Sequence, residues 1–209
     1  MSIVLYHHPW SRAATTVWML EEVGQPYELR FVDLNAGAQR SADHERRNRM
    51  HKVPVLDDGD VRVSENAAIA MYLADRYAPG RLAPALDAAQ RGSYLRWCVF
   101  APSVIEPACM AKASGWAYSP RQAGFGTYDD MLATLEEAVG SGTWLLGETF
   151  TMADVVVGAT ARWMLRFGMM KSDVVAAYAD RLAARPALQR ADAVNARVTA
   201  EHGLTPPGA

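Results

Sequence analysis

The sequence predicts a small α/β domain followed by an all-helical domain. Short apolar runs typical of buried strands alternate with helix-like segments only in the first part of the chain, up to Tyr77. After a proline-bearing connector, Ala78 to Pro84, apolar residues recur with helical spacing and no strand pattern returns. We therefore expect domains at residues 1–79 and 88–209, joined by a linker at 80–87.

Composition excludes several classes of function. The chain has 209 residues, of which 50% are hydrophobic and 21% are charged, as is ordinary for a soluble globular protein. Its 21 basic and 23 acidic residues give a formal charge of −2, which creates no field for nucleic acid or an anionic membrane. The N-terminus lacks the pattern of a secretory signal, and no apolar run approaches the roughly 20 residues needed to cross a bilayer. We expect a cytoplasmic protein that binds neither nucleic acid nor membrane.

Four strands are expected in the first domain, arranged as a mixed sheet. Ser11 suits the N-cap of the first helix, and Gly24 suits its end. The acidic, glycine-containing turn from Asp57 to Asp60 predicts a hairpin between the last two strands. The expected strands are residues 2–6, 27–34, 53–56 and 61–63, with helices at 11–24 and 64–77 and a loop or short helix at 43–49.

The second domain contains helical patterns at residues 88–100, 128–139, 152–167, 174–184 and 187–200. Gly203 to Ala209 is a tail whose order the sequence leaves open. The two cysteines, Cys98 and Cys109, are spaced eleven apart and fit neither a C-x-x-C redox pair nor a zinc site, so we expect core residues. His7 and His8 are adjacent, but no third metal ligand is recognisable, so no metal is expected.

One candidate for chemistry is the segment in which the first strand gives way to the first helix. A helix N-terminus offers N–H donors and about half a positive charge to an anion. Ser11 lies at this helix start, where its hydroxyl is either a donor to such an anion or simply a cap. Tyr6, at the strand end, is either a second hydroxyl donor or a packed aromatic residue.

Two further stretches carry polar groups, Lys52-Val53-Pro54-Val55 at a strand start and Ser64-Glu65-Asn66 at a helix start. If the Val53–Pro54 bond is cis, Val53 turns its backbone toward a ligand, but only about 5–6% of X-Pro bonds are cis. At the helix start, N–H groups can bind a carboxylate while Glu65 binds an ammonium, the two charges of an amino-acid head group. A capped helix with a favourable glutamate explains the same residues without a ligand.

The spacing of these three stretches resembles the thioredoxin-like domain of glutathione transferases. The opening of many bacterial members is similar to Leu5-Tyr6-His7, Trp18 to Gly24 and Pro26 to Leu29. Later, Gly147 to Asp154 resembles the capping motif of the family's helical domain, in which Thr151 caps the helix and Asp154 bonds back to it. The likeness extends over nearly the whole chain, from residue 3 to about residue 198.

The resemblance implies that the first domain binds glutathione as a co-substrate. The residues that it places against glutathione are Arg12, His51, Lys52, Val53, Pro54, Glu65 and Asn66. Val53 would pair its backbone with the cysteinyl unit beside a cis bond, and Glu65 with Asn66 would hold the γ-glutamyl head group. Lys52, or less favourably His51, would meet the glycine carboxylate. Many members have serine in place of Asn66, but an amide also offers a donor and an acceptor.

The residue that activates the thiol stays open between two hydroxyls. Branches of the family use a tyrosine at the first strand's end, or a serine or cysteine at the first helix's start, and this chain has Tyr6 and Ser11. We favour Ser11, because the helix start directs hydroxyl and dipole at one sulfur; backbone groups or Arg12 are the remaining alternative. Lowering a thiol pKa by about two units requires roughly 2.7 kcal/mol. A charge-assisted hydrogen bond of about 1.5–3 kcal/mol and a helix N-terminus of about 0.3–1 kcal/mol can supply it.

The resemblance further implies a detoxifying glutathione transferase that attacks small hydrophobic electrophiles and forms a homodimer. The electrophile pocket, expected between the domains, would draw on Trp10, Trp97, Phe100, Ile105, Met110 and Trp116, each of which also suits a core. Two alternatives share the fold. One is a non-catalytic binding or scaffold protein, and the other is a glutathione-dependent lyase, isomerase or peroxidase. The lack of a C-x-x-C motif disfavours a disulfide oxidoreductase.

Overall fold

A computed structural model describes residues 3–205, which form two compact units. The first unit contains the chain up to Leu73 together with the part that begins at Pro186, and the second runs from Ala74 to Arg185. The predicted fold class is confirmed, because the first unit holds a four-stranded sheet and the second is helical. The last helix, expected in the helical domain, packs against α1 in the first unit.

The sheet of the first unit has the strand order β2-β1-β3-β4. β1 (Ile3–His7) is parallel to β2 (Tyr27–Phe31) and antiparallel to β3 (Val55–Asp58), which is itself antiparallel to β4 (Val61–Ser64). The helices of this unit are α1 (Ala13–Val23), α2 (Ala42–Arg47), most of α3 (Asn66–Tyr77) and α9 (Pro186–Glu201), with a 3-10 turn at Ala38–Arg40.

The strand register brings four strand ends to one edge of the sheet. Tyr6 in β1 lies opposite Val55 at the start of β3, and Val55 lies opposite Ser64 at the end of β4. On the other side, His7 at the end of β1 pairs with Phe31 at the end of β2. The segments that leave these ends therefore meet at the same edge.

Helix α1 begins at Ala13, so the prediction of Ser11 as its N-cap was wrong by one residue. The capping position is Arg12, whose side chain makes no capping bond. The Ser11 hydroxyl instead accepts a hydrogen bond from the Ala13 N–H at 3.1 Å. The predicted end at Gly24 is confirmed: this glycine is left-handed, with φ 74°, and its N–H donates to the Leu20 carbonyl.

The second strand and the hairpin also follow local chemistry. β2 stops three residues before the predicted Leu34, because the Asp33 carboxylate accepts from the N–H groups of Asn35 and Ala36 and starts a turn. The predicted hairpin is confirmed, but Asp57 and Asp58 belong to β3 rather than to the turn, which contains Gly59 with φ 61°. The charged segment near residue 43 forms the short helix α2, one of the two expected outcomes.

The second unit contains the end of α3 and the helices α4 (Arg91–Phe100), α5 (Glu106–Ser114), α6 (Tyr128–Gly140), α7 (Met152–Arg166) and α8 (Asp173–Ala183). Helix α5 and the π-helical turn that precedes it, Ala101–Ile105, were not predicted. Two prolines, Pro102 and Pro107, lie in this segment. Both lie inside one continuous helical stretch, residues 91–114, in which the π-helical turn interrupts the regular α-helical hydrogen bonding.

Two predictions for the second unit are confirmed. Cys98 and Cys109 are completely buried, and burial raises the pKa of their thiols to about 12 and about 11, so both stay protonated at neutral pH. At the start of α7 the Asp154 carboxylate accepts from the Thr151 N–H at 2.9 Å, which closes the predicted capping box. The Tyr178 hydroxyl donates to the same carboxylate at 2.9 Å.

From residue 3 to residue 205, the structure contains no helix with the length and apolar character that a membrane span requires. The predicted tail runs from Gly203 to Ala209. Residues 206–209 of it lie outside the part of the chain that the structure describes.

Candidate functional site

The three stretches singled out in the sequence meet at the edge of the sheet described above. They are the loop after β1, residues 8–12, the corner before β3, residues 51–54, and the start of α3, residues 65–66. All three belong to the first unit. The N-termini of α1 and α3 also lie here, so backbone N–H donors and two helix dipoles face the same region.

The loop after β1 holds Ser11 through its own hydrogen bonds. The Ser11 hydroxyl donates to the His8 carbonyl at 2.7 Å and accepts from the Ala13 N–H. The Trp10 N–H donates to Nδ1 of the His8 ring at 3.1 Å. Ser11 is half-buried and lies two residues before the first residue of α1. Donation of its proton to a sulfur anion would require the hydroxyl to rotate away from His8, at a cost of about 1 kcal/mol.

Tyr6 is oriented toward α2. The Arg47 guanidinium lies 4.6 Å from the centre of the Tyr6 ring, and the His44 ring meets it edge-on at 6.3 Å. The ring also packs against the cluster formed by Ala13 and Val53. Tyr6 therefore has the surroundings of a packed aromatic residue, whereas Ser11 lies at the helix start.

The corner before β3 is anchored by helix α2. His44 and Asn48, one helical turn apart, both donate to the Lys52 carbonyl, at 3.0 and 3.2 Å. His51 has a left-handed backbone with φ 54°, and its Nδ1 donates to the Gln39 carbonyl. The Lys52 side chain is exposed. These bonds fix the backbone immediately before Val53, although no sequence signal had singled out His44 or Asn48.

The Val53–Pro54 peptide bond is cis, as the resemblance implied. Both residues are buried, and Val53 packs with Ala13 of α1 in the small cluster that also contacts Tyr6. The corner before β3 and the start of α1 therefore pack together in the same apolar cluster.

The start of α3 combines backbone strain with a tie to α1. Glu65 is exposed and has a left-handed backbone, with φ 68°, which a residue with a Cβ adopts at a cost of about 1–2 kcal/mol. Next to it, the Asn66 amide accepts from the Thr16 hydroxyl and donates to the Arg12 carbonyl, each at 3.0 Å. Asn66 therefore joins the first turns of α1 and α3 across 54 residues of sequence.

Opposite charges flank this junction. The surrounding protein lowers the pKa of the Arg12 guanidinium, and the negative charge of Glu65 opposes that effect. A carboxylate acceptor and a guanidinium donor therefore lie close together beside the N–H groups of the α3 start. Such a set can bind a zwitterionic head group, with its ammonium at Glu65 and its carboxylate at the helix N-terminus.

The other expected site residues lie in the second unit, apart from Trp10. Trp97 and Phe100 contact each other edge to face at 5.0 Å, and the Arg96 guanidinium lies 4.2 Å above the Trp97 ring. Trp116 is 53% exposed and Met110 is half-buried. Ile105 is completely buried and Trp97 is 5% exposed, so both have the burial of core residues.

His7 ends β1 as a neutral imidazole. Its ring is completely buried, and its Nε2 donates to the Asn195 side-chain oxygen at 2.7 Å. Burial lowers the pKa of His7 from 6.5 to about 4; the bond to Asn195 partly opposes this shift, and the neighbouring His8 adds to it. Within residues 3–205, no three histidine, cysteine, aspartate or glutamate side chains come together as metal ligands would.

Comparison with known proteins gives the class to which this fold and site belong. The family profile for the glutathione S-transferase N-terminal domain matches residues 1–75, and the profile for the C-terminal domain matches residues 119–191. Glutathione S-transferase GST-4.5 of Xanthomonas campestris is 30% identical over 152 residues, which cover 69% of this chain and 74% of that protein. The chain belongs to the glutathione S-transferase family.

Solved structures agree with this assignment. A glutathione transferase from Methylococcus capsulatus has a TM-score of 0.77 and 27% identity over 93% of this chain and 99% of its own. A family member from Pseudomonas fluorescens, crystallised with two glutathione molecules bound, has a TM-score of 0.77 and 25% identity over 91% of this chain and 92% of its own. The match spans only 32% to 64% of the length of several other curated relatives.

We predict that His7 makes the folded state sensitive to acid. Its pKa is 6.5 when unfolded and about 4 when folded, so between these values the unfolded chain binds the additional proton. The contribution of His7 to the free energy of unfolding is fully present above pH 6.5. It falls by roughly 3 kcal/mol as the pH approaches 4.

Urea unfolding at several pH values measures this effect. The loss between pH 6.5 and pH 4 should be smaller in His7→Leu by roughly 3 kcal/mol. The control variant Val17→Ala, which removes buried apolar groups from the same unit without changing a titratable group, should keep the wild-type dependence on pH. Equal pH profiles in wild type and His7→Leu would contradict the prediction.

Proposed function

We propose that this protein is a glutathione transferase that joins the glutathione thiolate to small hydrophobic electrophiles. The observation that carries the proposal is the junction at which Asn66 ties the start of α3 to the start of α1. It gathers Glu65, Arg12 and Ser11 beside two helix N-termini. A γ-glutamyl head group and a sulfur anion are the two parts of glutathione that such a junction suits.

Each part of glutathione has a proposed partner. Glu65 binds the γ-glutamyl ammonium, while Arg12, Asn66 and the N–H groups of α3 bind the adjacent carboxylate. The second amide hydrogen of Asn66 is not needed for its bond to the Arg12 carbonyl, so one donor remains for the ligand. The strained backbone of Glu65 supports this role, because such strain persists at functional sites.

The remaining parts extend along the corner before β3. The backbone of Val53, next to the cis bond to Pro54, pairs with the cysteinyl unit. Lys52, exposed and positively charged, binds the glycine carboxylate, with His51 as the less favoured partner. His44 and Asn48 support this assignment indirectly, because they hold the Lys52 carbonyl in place.

Ser11 is proposed to activate the thiol, with Tyr6 as the alternative. A free thiol with a pKa near 8.5 is only a few per cent ionised at pH 7. Ser11 donates a hydrogen bond to the thiolate at the mouth of α1, so the sulfur stays anionic and attacks without a general base. The contact of Tyr6 with Arg47 and α2 favours Ser11, because it gives the tyrosine a packing role.

The electrophile pocket is proposed to use Phe100, Met110 and Trp116 of the second unit. Their support is chemical: aromatic and thioether side chains suit small hydrophobic acceptors. The identity of the acceptor rests on family membership and composition. A non-catalytic glutathione-binding protein of the same fold would keep the binding junction but lose the conjugation activity, so activity measurements distinguish the two.

We predict that Glu65→Gln weakens glutathione binding roughly ten- to a hundredfold, because a charge-assisted hydrogen bond to the ammonium is lost. Isothermal titration calorimetry with glutathione measures the change. Glu28→Gln is the matched control, since Glu28 is an exposed glutamate on β2 that pairs with Arg30. Unchanged affinity in Glu65→Gln, or no binding by wild type at millimolar glutathione, would contradict the proposed site.

We predict that Ser11→Ala raises the pKa of the bound thiol by about one to two units and lowers kcat/KM at pH 6.5 about ten- to a hundredfold. A chlorodinitrobenzene-type acceptor and the ultraviolet absorbance of the bound thiolate provide both readouts. Tyr6→Phe should remain close to wild type. The reverse pattern would assign activation to Tyr6, and loss of activity in neither variant would reject both hydroxyls.

A homodimer is part of the proposal. Each unit carries exposed apolar side chains that a second copy could cover, among them Met50 in the first unit and Val99 in the second, 69% and 46% exposed. Light scattering should therefore give about twice the chain mass of 22.9 kDa. A mass equal to one chain at micromolar concentration would contradict a stable dimer.

A further inference from the structure

The last helix reaches the base of the loop that carries Ser11. Asn195 of α9 donates from its Nδ2 to the Ala191 carbonyl at 2.9 Å, within its own helix. This bond fixes the amide so that its oxygen faces His7, whose Nε2 donates to it at 2.7 Å. The same Nδ2 lies 3.5 Å from the Ala14 carbonyl in the first turn of α1. Asn195 thus contacts both ends of the loop.

A second contact joins the end of α9 to the same region. The rings of His202 and Phe31 stack at 3.6 Å with an angle of 13° between their planes. The His8 ring in turn stacks with Phe31 at 5.6 Å. The His8 carbonyl accepts a hydrogen bond from the Ser11 hydroxyl, and the His8 ring accepts one from the backbone N–H of Trp10. Asn195 in α9 and His202, just after its end, therefore contact His7 directly and His8 through Phe31.

We propose that Asn195 is a positioning residue for the thiol-activating loop, acting through the His7 ring. This inference rests on the proposed function, because it assumes that Ser11 faces the glutathione sulfur. His7 cannot move without breaking its bond to Asn195, since its ring is completely buried and the Asn195 oxygen is its hydrogen-bond acceptor. A displacement of His7 would move His8, which is the next residue. It would thereby move the His8 carbonyl, which accepts the hydrogen bond of the Ser11 hydroxyl.

The energetics favour this role over simple anchoring. Hydrogen bonds weaken steeply when donor and acceptor lose alignment, so a small shift at His8 changes the direction of the Ser11 hydroxyl. Precise placement of a reacting group depends on such supporting contacts. Helix α9 is also anchored elsewhere: Arg190 donates to both the carboxylate and the carbonyl of Glu21 on α1, at 2.6 and 3.1 Å. That pair holds the helix without touching the loop.

The test compares Asn195→Ala with Arg190→Ala, which removes the other attachment of the same helix. In Asn195→Ala, hydrogen exchange at the N–H groups of Trp10 and Ala13 should accelerate on the order of tenfold, since both amides bond within the loop. The pKa of enzyme-bound glutathione should rise by about half a unit to one unit. At pH 5.5, where the bound thiol is mostly protonated, glutathione affinity should change by less than about twofold, because the proposed contacts at Glu65 and Val53 are not touched.

Arg190→Ala should leave the exchange of both loop amides and the thiol pKa at wild-type values, even if it melts at a lower temperature. Asn195→Asp keeps an acceptor for His7 and should restore slow exchange. If Asn195→Ala does not fold, Asn195→Ser replaces it, because a serine can bond the carbonyl four residues earlier but is too short to reach His7. The double variant His7→Leu with Asn195→Ala should match His7→Leu alone in thiol pKa.

The proposal would be overturned if the two loop amides of Asn195→Ala exchanged hydrogen at the wild-type rate. It would also be overturned if they exchanged faster while the pKa of the bound thiol stayed unchanged. Equal effects in Arg190→Ala would also overturn it, because they would reveal only loss of helix anchoring. If wild type binds no glutathione, the proposed function fails by itself. Hydrogen exchange then decides separately whether Asn195 positions the loop.

Discussion

The site depends on how the end of β1 is held. β1 lies inside the sheet, between β2 and β3, and its last residue, His7, is fixed on several sides. Its carbonyl accepts from the Val32 N–H at 2.8 Å, and its ring donates to Asn195. Because the ends of β2 and β4 and the start of β3 share this edge, a fixed His7 also fixes where the neighbouring segments meet. Helix α9 completes the arrangement from a distant part of the sequence.

Chemistry at this edge follows from groups that are each unremarkable alone. A hydroxyl, a carboxylate, a guanidinium and two helix starts lie together at this edge, where Asn66 ties α3 to α1. The strain at Glu65 is tolerated beside this tie. Family membership is independent of these contacts, and the proposed glutathione site draws on both.

Much of the fold could be predicted from local signals, such as the left-handed end of α1 at Gly24 and the capping pair of Thr151 with Asp154. Other features depend on context. Helix α5 was not predicted; it continues from α4 through a π-helical turn, whose wider hydrogen bonding interrupts the regular α-helical period. The periodicity of α9 predicted a helix and its apolar face, but periodicity does not specify the partner, so its place in the first unit came only with the structure. In the site, the bond between Asn66 and Thr16 crosses 50 residues and leaves no sequence pattern.

A crystal structure of the protein grown with millimolar glutathione tests the central claim most directly. We expect the tripeptide along the edge where β1 ends, with its ammonium at Glu65, its cysteinyl backbone paired with Val53, and its sulfur within hydrogen-bonding distance of the Ser11 hydroxyl. A sulfur beside the Tyr6 hydroxyl instead would contradict our assignment of activation. A tripeptide bound away from this edge, or none at all, would contradict the whole account of the site.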